Sequence, residues 1–187
     1  MKKIYFAALA CAMMMFASCE KLKDATSRDI KVNNVKFEFA AESSNAAEVR
    51  GSVVTRAGTD NIFTVTRTVS IAEMGSSEIT EYAGKISNVA VNSSLLKITA
   101  SPQGNYTVTD VKVAAEGVAG TLDVPSYTLG SVFTPPANMN AYTAAFVMKL
   151  LAAKTVSVTV SGKTDAPAGT VINISYESDL VLTASLL

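Results

Sequence analysis

The 187 residues carry 16 Lys and Arg against 16 Asp and Glu, with no His, no Trp and two Cys. Without imidazole, His-dependent triads and zinc or copper sites built on His are excluded. Without indole, the largest stacking surface for sugars or bases is missing. No basic cluster stands out, so nucleic acid is not an expected partner.

Met1-Lys2-Lys3 is a basic start, and Ile4 to Phe16 is a 13-residue run without a charge. Small residues, Ala17 and Ser18, then precede Cys19. This order is that of a secretory signal peptide. The run is too short to cross about 30 Å of hydrocarbon as a helix. Residues 1–18 are therefore expected to be removed, taking Cys11, Lys2 and Lys3 with them. What remains is 169 residues with 14 basic and 16 acidic side chains, a net charge of −2. That length supports one domain with its own core. With Cys19 as its one remaining thiol, the mature chain has no internal disulfide and rests on that core.

Residues 19–29 are expected to form a tether: the stretch after Cys19, EKLKDATSR, mixes both charges and has few apolar residues. A single sandwich domain is expected over residues 30–187. Ile30 to Phe39 opens a period-2 pattern, with Val35, Phe37 and Phe39 alternating with Lys36 and Glu38. Ala46–Ala57 reads as a weaker strand, and Gly58-Thr59-Asp60-Asn61 as a turn. In Ile62–Ile71, Phe63, Val65, Val69 and Ile71 share one face and Thr64, Thr66, Thr68 and Ser70 the other.

Ser76–Lys85 reads as a short helix capped by Ser76 or Ser77. Strands are expected at Ile86–Val91, Leu95–Ala100, Tyr106–Val113 and Val118–Val124, with a short one at Tyr127–Phe133 before Pro135-Pro136. Asn138–Ala153 changes to a helical period, placing Tyr142, Ala145, Phe146, Leu150 and Ala153 on one face, with Asn138 or Asn140 as cap. A strand over Ala144–Leu151 is the alternative. Thr155–Ser161, Thr170–Tyr176 and Leu180–Leu187 are three further strands, the last one integral to a sheet. Turn signals every 8–12 residues or so point to a mainly β, two-layer antiparallel β-sandwich of Ig-like or Greek-key type, with one or two short helices.

The leader, the Phe16-Ala17-Ser18-Cys19 site and the blocks ISNVAVNSSLLKITASPQGNY, NAYTAAFVMKLLAAKTVSVTVSGKTDAPAGTVINISY and DLVLTASLL together resemble the small β-sandwich lipoproteins of Bacteroidota. The resemblance implies an outer-membrane location, acylation of Cys19 and a sandwich fold; it implies no activity. The acidic residues Glu20 and Asp24 are separated by Lys21-Leu22-Lys23, less compact than the surface-export signal of such lipoproteins, so a solvated linker is the reading adopted.

Residues with chemistry to offer are few. Asp110, Glu116 and Asp123 are close in sequence and are candidates for a carboxylate pair, but each also suits a turn or strand end. Asp60 and Asn61 offer oxygen ligands for calcium without the dense acidic loop that such a site needs. Asn92, Asn105 and Asn173 begin glycosylation triplets, the chance product of a Ser/Thr-rich chain. Tyr82, Tyr106, Tyr127, Tyr142 and Tyr176 are expected in the core, with a gathered binding face as the alternative. No catalytic, metal or cofactor residue is assigned, and the expected partners are the membrane, through lipid on Cys19, and an unidentified glycan or protein. The function expected is that of a lipid-anchored, non-catalytic binding or structural module. Two alternatives remain: a fimbrial or adhesin subunit, cut after Arg56 and donating Leu180–Leu187 to a neighbour, and a carboxylate-dependent enzyme acting on glycans.

Overall fold

The computed structural model describes residues 26–45, 60–131, 133 and 135–186. It is the expected mainly β, two-layer antiparallel sandwich. The strands are β1 (Ser27–Glu42), β2 (Ser44–Asn45), β3 (Asn61–Ser70), β4 (Ile86–Ser101), β5 (Thr107–Ala115), β6 (Leu122–Val124), β7 (Tyr127–Thr128), β8 (Thr155–Thr164) and β9 (Val171–Ser185). One sheet has the order β1-β9-β4; the other runs β2-β3-β8-β5-β6, with β7 also paired to β5. The chain changes sheet after β1, β3, β4 and β8. Among the described residues there are two α-helices, α1 (Ser77–Tyr82) and α2 (Met139–Ala153).

The three-stranded sheet is built on a straight centre and two bulged edges. Along β9, Ile172, Ile174, Leu180, Leu182 and Ala184 face inward at an unbroken period of two and are all buried. On β1 the inward set changes parity, from Ile30 and Val32 to Val35, Phe37, Phe39 and Ala41. The ladder shifts register between Val32 and Val35, where Asn34 adopts φ 56°. A bulge inserts one residue and so moves every later side chain to the other face; here it keeps Val35 and Phe37 in the core. β4 does the same between Val91 and Ser93. Asp179 of β9 sits between the two irregularities. Its carboxylate accepts the Asn34 N–H at 2.9 Å and the Ser93 hydroxyl at 2.8 Å. Ser178 is buried and donates to the Ser93 carbonyl at 2.8 Å.

Several expected boundaries change for this reason. Ile86–Val91 and Leu95–Ala100 are one strand, because Asn92-Ser93-Ser94 is not a turn but contains the β4 bulge. Thr170–Tyr176 and Leu180–Leu187 are likewise one strand, β9, since the polar Glu177-Ser178-Asp179 stays in the ladder. β1 begins at Ser27, so Ser27–Asp29, placed in the tether by composition, pair with Thr183–Ser185. Val118–Val124 shortens to Leu122–Val124. The expected strand Ala46–Ala57, like residues 1–18, Cys19 and Arg56, lies outside the described residues.

The layers are joined at several points. Where β1 passes to β2, Ser43 is 2% exposed, yet its backbone and hydroxyl bond to Thr170, Gly169 and Pro167, so the buried crossing leaves these groups paired. Arg67 of β3 reaches the other layer, donating to the Glu38 carbonyl at 2.9 Å, pairing with Glu73 and lying 5.9 Å from the Phe39 ring. α2 packs against β4 and β8. Its buried face comprises Tyr142, Thr143, Phe146, Val147, Leu150 and Leu151. Ala145 and Ala153, expected on that face, are exposed: the wider stripe of branched and aromatic side chains removes more apolar surface from water. The Phe146 ring meets Phe37 edge-on, centroids 5.5 Å apart.

Candidate functional site: a polar groove on the outer face of the three-stranded sheet

Two concavities matter. The first, about 50 Å³, lies between the layers beside α2 and is walled by Phe37, Leu96, Val160, Tyr142, Phe146 and Tyr176 among others. Organic-ligand pockets usually hold 300–1,000 Å³, so this is a packing gap in the core. Its polar edges are already used. The Tyr142 hydroxyl accepts the Ala115 N–H at 2.8 Å, and the Tyr176 and Thr143 hydroxyls bond at 2.6 Å. Burial raises both tyrosine pKa values above the ordinary phenol value.

The second is a groove of about 470 Å³ on the outer face of the sheet β1-β9-β4. Ladder register dictates its plan. Lys36, Glu177 and Leu95 lie opposite one another in one row, Glu38, Ser175 and Lys97 in the next, and Ala40, Asn173 and Thr99 in the third. The short Ala40 side chain leaves room at the third row. Period-2 alternation aims these side chains outward while Phe37, Phe39, Leu96, Ile98 and Ile174 enter the core.

The groove has two unlike halves. On the β1 side, the Lys36 ammonium is 2.6 Å from Glu38 and 3.8 Å from Glu177. The hydrogen bond from Glu38, and then its charge, raises the Lys36 pKa, and Lys36 lowers that of Glu38 in return. On the β4 side, the Ser175 hydroxyl is buried without a hydrogen-bond partner. Such a group costs about 1–3 kcal/mol when left unpaired. The neighbouring Lys97 ammonium makes none of the ion pairs found among the described residues. One half sets one ammonium against two carboxylates, a net charge of −1; the other holds an ammonium unpaired among the described residues, an exposed threonine hydroxyl, an amide and the buried Ser175 hydroxyl.

Glu38 and Glu177 thus share a groove, the arrangement a glycan-hydrolysing carboxylate pair would need. A general acid must have its pKa raised by an apolar setting. Glu38 is shifted downward by Lys36 and sits in the open, which suits a fixed negative charge.

The residues singled out by sequence do not form this site, apart from Asn173. Asp110 is bound to Lys163 at 2.7 Å, at a β5 irregularity. Asp123 stands across from Lys112, and Glu116 is exposed beyond the end of β5. None of the three lines either concavity. The Asn61 amide donates to the Ala166 carbonyl at 2.7 Å, tying β3 to the loop before β9. Among the described residues no group of three or more His, Cys, Asp or Glu could hold a metal ion. The tyrosines do not gather into one surface. Tyr142 and Tyr176 line the core gap, Tyr82, Tyr106 and Tyr127 pack against the core elsewhere, and Tyr127 donates to the Ser131 carbonyl at 2.9 Å. Asn92 and Asn105 are exposed.

Lys36, Glu38, Lys97 and Ser175 escape sequence reasoning because their positions are 36, 38, 97 and 175. Alternation assigns each to a wet face, but nothing local says that β9 lies between β1 and β4. No protein-family model and no curated protein matches the chain. Among solved structures, the fold aligns with a chain of Desmodium yellow mottle tymovirus over 86% of this chain and 84% of that one, at 12% identity and a TM-score of 0.23.

Proposed function

We propose that this chain is a lipid-anchored protein of the bacterial envelope, held to the outer membrane through Cys19, and that its sandwich is a non-catalytic binding or structural module. The observation that carries the reading is the sequence Met1–Cys19: basic start, 13-residue uncharged run and a small-residue approach to a single Cys. The fold supports it by position. β1 begins at Ser27, eight residues after Cys19. Those residues reach at most about 28 Å when extended, so the sandwich stands close to the bilayer. The groove is further along β1 than Ser27, at Lys36–Ala40.

The carboxylates support binding over catalysis, since Asp110 and Glu38 are each paired with a lysine that lowers their pKa. Strand donation by Leu180–Leu187 draws less support. That segment is the end of the central strand, and its removal would unpair β1 and β4 together. The test is fractionation of cells making the wild-type chain or Cys19→Ala. The wild type is expected in the outer-membrane fraction and the variant in the soluble periplasm. Equal membrane recovery of both would overturn the reading. Attachment is expected to persist in high salt, because two or more acyl chains contribute about 0.8 kcal/mol per buried CH₂, whereas a charge contact would be screened.

A further inference from the structure

We propose that the groove on the outer face of the three-stranded sheet binds a small hydroxylated carboxylate of the acidic-monosaccharide class. The proposal deepens the binding-module reading and rests on it. Three observations point to this chemistry. First, the Ser175 hydroxyl is buried beside the groove without a partner, so a ligand oxygen admitted by movement of the side chains around it would complete its hydrogen bond. Second, Lys97 lies directly opposite Ser175 on β4 and is engaged in none of the ion pairs among the described residues. An ammonium beside a hydroxyl donor selects an oxyanion, and bonds to charged groups are the stronger kind. Third, Glu38 lies across Ser175 on the other side and is already fixed by Lys36.

The row Glu38-Ser175-Lys97 therefore reads acceptor, hydroxyl, cation across three strands. Two strand spacings separate its ends, roughly 9.6 Å between backbones. A pyranose ring with a carboxylate on one side fits it: carboxylate to Lys97 and Ser175, ring hydroxyls to Glu38 and Asn173. The short Ala40 side chain leaves room for the ring at one end of a groove of about 470 Å³ that is open to solvent. Phe39, the aromatic among the groove's lining residues, is buried in the core, so charge and hydrogen bonds carry the recognition.

The experiment uses the mature, exported protein in detergent micelles, titrated with glucuronate, glucose, acetate and inorganic phosphate by ligand-observed NMR. Saturable glucuronate binding is expected, with glucose and acetate each at least about tenfold weaker, since each lacks one of the two recognition elements. Lys97→Met is expected to weaken glucuronate about tenfold or more, and Ser175→Ala about three- to tenfold. Lys112→Met, on the other sheet, is expected to leave binding unchanged. Thermal melts of every variant establish that each is folded. Glucuronate binding that survives Lys97→Met, or that falls equally with Lys112→Met, would overturn the site. Phosphate or acetate binding as well as glucuronate would overturn the sugar class. These results are independent of Cys19 fractionation, so failure of the groove and failure of the anchor can be told apart.

Discussion

Asp179 shows how one side chain can set the shape of a sheet. It is bound to the Asn34 N–H on one edge strand and to the Ser93 hydroxyl on the other, and so holds both bulges in register. The backbone bond from Asn34, followed by that from Ser93, depresses its pKa below the ordinary carboxylate value of 3.8. A group with a lowered folded pKa contributes stability that is complete above its unfolded pKa and is lost as pH falls through the folded value. Asp179→Ala is therefore expected to lower the melting temperature at pH 7. The gap from wild type should begin to narrow below about pH 4 and close as pH falls through the lowered folded value, and melts across pH 2–7 measure it. Tyr142 has a different role: its hydroxyl is the acceptor for the Ala115 N–H. Tyr142→Phe keeps the ring and leaves that N–H unpaired, so chemical denaturation is expected to show a loss of about 1–3 kcal/mol.

Among the elements, β9 has the greatest structural weight, since it is the one strand paired to both β1 and β4. Leu180, Leu182 and Ala184 are essentially inaccessible. Each leucine lost from such positions costs about 2–5 kcal/mol, so the two together are comparable with the whole stability of a typical domain, about 5–15 kcal/mol. A chain ending at Asp179 is expected to lose its cooperative unfolding transition, read by circular dichroism; a sharp transition in that chain would show that the last strand is dispensable. β9 also marks where sequence reasoning stops. β3 was legible because Phe63 and Val69 alternate with Thr and Arg, and α2 because its apolar residues recur at helical spacing. β4 and β9 each looked like two strands, since Asn92-Ser93-Ser94 and Glu177-Ser178-Asp179 have the composition of turns. Tertiary partners keep those residues in the ladder: Ser178 can face the core because the Ser93 carbonyl receives its hydroxyl. The same limit hid the groove, whose rows join residues up to 141 positions apart, as in Lys36 and Glu177.

At the scale of the whole molecule, one core spans both sheets and α2, and the polar groove lies on its outside. The proposed anchor on Cys19 would join this domain to a bilayer through the residues that precede it. Its most direct test is intact mass spectrometry of the exported protein, with sequencing of the N-terminal peptide. The account predicts a chain that starts at Cys19 and carries a diacylglyceryl mass on its sulfur. A bare thiol at Cys19, or a mature chain in which Cys19 is internal, would contradict it.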